Sequence, residues 1–201
     1  KKTLLTLDEV KLQEQDGITD RGLITAGGQI ELKEQGFNLS MQAFKANPAI
    51  VTAVMKDPPE IKGEMDMQVQ LAGTVAKPSG KGSLEIINGS VAGVSVDKIN
   101  AELALKNDTI QLEYLVATKD VYGLKASGDI PLDVFRSKEQ RRNPRSQMNI
   151  IMDLNEARLG MLPALSKMVE WGVGETNGQV RLAGTLEEPL LYGSLKIADG
   201  A

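Results

Sequence analysis

Residues 64–90 read EMDMQVQLAGTVAKPSGKGSLEIINGS, and residues 175–201 read ETNGQVRLAGTLEEPLLYGSLKIADGA. The two 27-residue stretches start 111 positions apart and agree at 13 positions. The shared residues include Gln68/Gln179, Val69/Val180, the run Leu71-Ala72-Gly73-Thr74 with its counterpart Leu182-Ala183-Gly184-Thr185, Pro78/Pro189, Gly82/Gly193 and Gly89/Gly200. Self-similarity at a fixed period marks a chain built of stacked units, each covering its neighbour rather than closing a core alone. A second echo lies upstream: AGGQIEL at Ala26–Leu32 answers ASGDIPL at Ala126–Leu132 at an offset of 100. The difference between the two offsets places an insert at about 135–147. The chain therefore reads as a partial first repeat (1–63), one full repeat (64–174) and the start of another (175–201), a piece of something longer.

Composition excludes several kinds of function. The 201 residues are 41% hydrophobic but only 3% aromatic, so the apolar surface is almost entirely aliphatic. There is no cysteine, which removes disulfides and thiolate metal sites. There is no histidine either, so the usual neutral-pH base and the commonest metal ligand are both missing. A net charge of −4 argues against nonspecific nucleic-acid binding. No run approaches the ~18 apolar residues of a membrane-spanning helix, and no cofactor is expected.

The hydrophobic period is two almost everywhere. Apolar residues alternate at Ile24, Ala26, Ile30, Leu32; at Phe37, Leu39, Met41, Ala43; at Met65, Met67, Val69, Leu71; and at Ile99, Ala101, Leu103, Leu105. The beat continues through Ile110, Leu112, Tyr114, Val116; Leu124, Ala126, Ile130, Leu132; and Met148, Ile150, Met152, Leu154. Leu84 and Ile86 keep it in the first copy of the repeated phrase, and Val180, Leu182, Leu195 and Ile197 in the second. Polar residues such as Gln68, Gln70, Glu102, Gln111 and Asp153 fill the gaps. This is the signature of strands with one apolar and one wet face. Gly27-Gly28, Asn88-Gly89, Asn107-Asp108, Asn177-Gly178 and Asp199-Gly200 are expected as tight turns. About eleven strands in an antiparallel meander follow. The fold class is all-β.

Two stretches break the beat. Asn47-Pro48 followed by Val51, Val54 and Met55 predicts a short amphipathic helix at about 48–56. Pro163 to Trp171, ending at Gly172, predicts a second at about 163–171. The insert, FRSKEQRRNPRSQ, carries Arg136, Lys138, Arg141, Arg142 and Arg145. It reads first as a solvated loop, and its arginines are also candidates for contact with anionic headgroups or an acidic partner.

Other constellations carry little. Ser95 and Lys98 have the S-x-x-K spacing but lie in strand-like sequence with no partner motif. Gly80-Lys81-Gly82 lacks the hydroxyl residue a phosphate loop requires. Asp153-Leu154-Asn155-Glu156 lacks the glycine and distal glutamate of a calcium loop. No catalytic constellation is present, and an enzyme is not expected.

The repeated pattern, carried by Leu71, Gly73, Thr74, Pro78, Gly82, Leu84, Ile86 and Gly89 and again by Leu182, Gly184, Thr185, Pro189, Gly193, Leu195, Ile197 and Gly200, resembles the repeats of the TamB/AsmA-like envelope proteins of diderm bacteria. Segments 94–105 and 124–130 fit the same family, and the first 60 residues fit more loosely. The resemblance implies an elongated sheet curled into an open β-groove with an apolar lining. It implies a periplasmic location, with an inner-membrane anchor outside this stretch. It also implies either phospholipid transport toward the outer membrane or, as the alternative, assembly and secretion of outer-membrane and autotransporter proteins by strand pairing, with a barrel partner of the Omp85 type. Under it, the alternating residues named above, from Ile30 and Leu32 to Leu195 and Ile197, line the groove. The basic insert and the two helices depart from the family pattern.

Overall fold

The computed structural model describes residues 3–15, 20–52, 60–120, 122–135, 143, 145–158, 175–185 and 188–198. Eleven strands form one sheet: β1 (Leu4–Gln15), β2 (Asp20–Glu31), β3 (Gly36–Ala46), β4 (Ile61–Thr74), β5 (Pro78–Val91), β6 (Val94–Lys106), β7 (Thr109–Lys119), β8 (Tyr122–Pro131), β9 (Met148–Arg158), β10 (Glu175–Gly184) and β11 (Pro189–Ala198). Their order in the sheet is their order in the chain, and every neighbouring pair is antiparallel, so the fold is an all-β meander. The sheet is open, and the strong curl expected of a β-groove is not seen. Alternation specifies which side of a strand is apolar. How far a sheet bends depends on bulges and backbone kinks, which alternation does not count.

Helix is nearly absent among the described residues. Of the stretch expected to be helical at about 48–56, the described part forms a turn of helix, α1 (Ala49–Thr52), capped where Asn47 Oδ1 accepts from Ala49 N at 2.9 Å, and residues 53–56 lie outside the described residues. A 3-10 turn spans Leu132–Phe135. The second expected helix, at about 163–171 and including Trp171, lies outside the described residues.

Three of the expected turns are corrected. Gly27-Gly28 lies inside β2, Asn88-Gly89 inside β5 and Asn177-Gly178 inside β10, while Asp199-Gly200 falls outside the described residues. Asn107-Asp108 is a hairpin turn as expected, with φ of 52° and 57°, the paired positive values of a type I′ connection. Ala92-Gly93 closes the β5–β6 hairpin with φ of 48° and 82°. Gly28 shows why a glycine pair can sit mid-strand. Its φ is 140°, and a Cβ there would run into the carbonyl oxygen of Asn38 on β3. The glycine lets two backbones approach rather than reverse direction.

The two copies of the repeated phrase form the same hairpin. In the first, Leu71 pairs with Gly80 and Gly73 with Pro78; in the second, Leu182 pairs with Leu191 and Gly184 with Pro189. The correspondence extends to the strands before them. Leu39 pairs with Leu71 and Met41 with Val69, as Ile150 pairs with Leu182 and Met152 with Val180. The irregularities recur too. The β1–β2 register slips between Leu7 and Val10, and the β7–β8 register between Leu112 and Leu115. The β3–β4 register slips between Ala43 and Ala46, and the β9–β10 register between Thr176 and Gly178. Strands β1–β5 are thus matched by β7–β11, which makes the structural period six strands.

Candidate functional site

The registers place the apolar side chains in lengthwise rows perpendicular to the strands, and the rows differ in how much water they meet. One runs Ala46, Met65, Ile86, Ile99, Ala117, Leu124, Leu154. None of these exceeds 7% exposure and Met65 is at 0%, so this row is dry core. Val51 of α1 packs against the same cluster. The row through Ala43, Met67, Ala101, Ala126, Met152 and Val180 is also buried, with Leu84 and Leu115 half-buried among them.

The next row takes one residue from every strand: Val10, Ala26, Met41, Val69, Gly82, Leu103, Leu112, Gly128, Ile150, Leu182 and Leu191. Most of its members are half-buried, Leu112 is buried and Val10 is exposed. Beyond it lie Leu39, Leu71, Leu105, Ile110 and Ile130, all half-buried. One face of the sheet therefore has a sealed strip and, alongside it, an aliphatic strip open to solvent. Where β1, β2 and α1 meet, Leu12, Ile24, Ala46, Ala49 and Ile50 line a mainly apolar hollow of about 440 Å³.

Of the residues expected on the apolar face, Met65, Met67, Ile86, Leu112, Leu124, Met152 and Val180 are buried. Ile30, Leu39, Met41, Val69, Leu71, Leu84, Leu103, Leu105, Ile110, Ile130, Ile150, Leu182 and Leu195 are half-buried on the same face. Leu32 falls in the β2–β3 turn and is 58% exposed. Ile197 pairs with Thr176, and its side chain is outside the described residues.

Tyr114 and Val116 do not continue the apolar face. The slip after Leu112 moves them to the polar side and brings Leu115 and Ala117 inward in their place. The β1 members of the rows, Leu5, Leu7, Val10 and Leu12, escape a simple alternation because the same kind of slip changes its phase at Asp8-Glu9. The readable signal was a spacing of three between Leu7 and Val10 flanked by spacings of two.

The opposite face is polar and cross-linked by side chains. Tyr114 donates its hydroxyl to Glu102 Oε1 at 3.1 Å, which holds the phenol above its usual pKa. Lys98 pairs with Glu85 at 2.6 Å, Gln179 donates to Asp153 at 2.8 Å and Arg181 to Asn149 at 2.6 Å. Where β6 begins and β7 ends, Asp97 accepts from the Asp120 amide at 2.7 Å and from Lys119, and these bonds lower its pKa. Asp66 accepts from the backbone of Lys45 at 2.8 Å. These contacts occupy carboxylates in bracing neighbouring strands. Among the described residues no group of three or more His, Cys, Asp or Glu could hold a metal ion.

Of the basic insert, Arg145 is exposed, its backbone amide donating to Asn143 Oδ1 at 3.0 Å. Arg136, Arg141 and Arg142 lie outside the described residues. No described helix is long and apolar enough to cross a membrane. Comparison with protein-family models, with curated proteins and with solved structures finds no match.

Proposed function

We propose that this chain is a segment of a TamB/AsmA-like envelope protein whose open aliphatic strip carries phospholipid acyl chains between the inner and outer membranes. The observation that supports this reading is the half-open row from Val10 to Leu191, to which every strand contributes. At about 4.8 Å per strand, eleven strands give roughly 50 Å of track. Exposing a 16-carbon acyl chain to water costs on the order of 12 kcal/mol at about 0.8 kcal/mol per methylene, so passage through an aqueous space requires continuous apolar cover. An aliphatic, nearly non-aromatic strip without convergent polar groups suits a guest held by its tails rather than oriented by specific bonds.

In this reading the groove is shallower than the family's curled trough, with the sealed strip as its floor and the open strip as its lipid-facing wall. The chain works in the periplasm, anchored to the inner membrane through a segment outside this sequence, with Arg145 and its basic neighbours near headgroups and an Omp85-type barrel at the far end.

Two measurements test it. Solvent extracts of the purified protein, analysed by mass spectrometry, are expected to contain phospholipid. Photo-crosslinking to lipid is expected to fall at least tenfold in Val69→Asp or Leu103→Asp and to persist in Gln70→Asp on the polar face. Lipid-free protein, or equal loss in all three variants, rejects the reading.

A further inference from the structure

The polar face of the sheet has a hollow of its own, of about 630 Å³, to which every strand from β1 to β7 contributes. That volume lies within the range of about 300–1,000 Å³ usual for small-molecule sites. The hollow is on the side of the sheet away from the aliphatic strip.

Its charges are matched. Glu9 pairs with Lys11 at 3.0 Å, Glu85 pairs with Lys98 at 2.6 Å, and Asp66 accepts from the Lys45 amide at 2.8 Å, so each described carboxylate lining the hollow has a partner. Its uncharged polar groups are not matched. The registers set Thr25, Gln42, Gln68 and Ser83 side by side across β2 to β5, and among the described residues none of these side chains makes a hydrogen bond. The second copy of the repeat fills the same place differently: Gln179, the counterpart of Gln68, donates to Asp153 at 2.8 Å, where the first copy has Gln42. Two rings flank the amide row. Phe44 on β3 and Tyr114 on β7 are 58% and 40% exposed, and Tyr114 is held in place by its bond to Glu102. They stand four strands, or about 19 Å, apart.

We infer that this hollow binds a neutral oligosaccharide, with sugar rings laid on Phe44 and Tyr114 and hydroxyls bonded by Gln42, Gln68 and Ser83. A sugar presents a C–H face that packs on an aromatic ring and a rim of hydroxyls that donate and accept, as amide side chains also do. An ionic ligand needs unmatched charge, and an acyl chain needs an unbroken apolar lining; the hollow offers neither. The separation of the two rings suits a chain of several sugars rather than one. This inference concerns the opposite face from the lipid reading and does not depend on it.

The test titrates the whole chain with three neutral hexasaccharides, cellohexaose, maltohexaose and the hexamer of N-acetylglucosamine, followed by NMR. At least one is expected to bind with a Kd of about 1 mM or below. Phe44→Ala, Tyr114→Ala and Gln68→Ala, all at exposed positions, are each expected to weaken that binding at least fivefold. Tyr114→Phe keeps the ring and is expected to keep the binding, and Gln179→Ala in the second copy is expected to leave it unchanged. Failure of all three sugars to bind, or binding that Phe44→Ala and Gln68→Ala leave intact, overturns the inference. So does equal loss in Gln179→Ala, which would place the sugar elsewhere on the polar face.

Discussion

Gly28 and Gly128 stand 100 residues apart and hold the same backbone conformation, φ 140° and 149°, at the same point of the fold. A Cβ on the first would collide with the carbonyl oxygen of Asn38, and on the second with that of Asn149. Each lies opposite the first residue of a register slip, Leu7 for Gly28 and Leu112 for Gly128. The repeat therefore preserves a place where two strands nearly touch as well as a pattern of apolar residues.

Gly128→Ala is expected to destabilise the chain by about 1–3 kcal/mol, through a backbone conformation that L-residues avoid and a contact with main chain that cannot move aside. Gly93→Asn, in an open turn with nothing within 4 Å of the added Cβ, is expected to change stability by no more than about 0.5 kcal/mol. Equilibrium denaturation in urea separates the two. Equal effects would show that the close crossing is not a constraint.

The division of the apolar face into sealed and open strips predicts unequal truncations. Met65→Ala, in the dry row, is expected to cost about 2–5 kcal/mol. Leu71→Ala, half-buried in the open strip, is expected to cost about 1–2 kcal/mol, because part of that side chain already meets water. Similar values in thermal or urea unfolding would mean that the strips are not energetically distinct.

Thr74 and Thr185 brace equivalent hairpins. Thr74 Oγ1 accepts from Lys77 N, and Thr185 Oγ1 from Glu188 N, each at 3.1 Å. Replacing either with Val removes one exposed side-chain bond and is expected to cost about 0.5–1.5 kcal/mol. The accompanying readout is faster amide exchange at Lys77 in one variant and at Glu188 in the other, each confined to its own hairpin.

Asp97 links the start of β6 to the β7–β8 turn, and its pKa is lowered first by the Asp120 amide and then by Lys119. A depressed carboxylate stabilises the fold above its unfolded pKa of about 3.9, and that contribution disappears as pH falls through the lower folded value. The stability difference between the native chain and Asp97→Asn should therefore be steady from pH 7 to 5 and shrink below about pH 4. A difference that stayed constant down to pH 2 would assign the effect to shape rather than charge.

Strand number, meander order and the sidedness of most strands were legible because half-buried antiparallel strands impose a period of two on their own residues. What alternation could not show was its own interruption. Tyr114 and Val116 keep step with Ile110 and Leu112 in sequence yet lie on the polar face, because one extra residue in β7 reverses the phase. Gly27-Gly28 resembles a turn because glycine tolerates the same unusual φ in a hairpin and in a close strand crossing; only the partner strand tells them apart. The exposed strip was foreseen as part of a uniform lining, because whether a residue meets water depends on what lies above it and not on its own strand. Leu32 shows the opposite limit: it keeps the alternation but belongs to the turn, where the chain has left the sheet.

Because each described strand pairs only with the strand before it and the one after, native pairing never waits for a distant part of the chain to arrive. Such a sheet can be laid down strand by strand, in the order in which a ribosome or an export channel delivers it, each new strand finding its template already in place. Tension applied between the two termini would undo it in the same manner, opening one ladder at a time from an edge rather than shearing the whole at once.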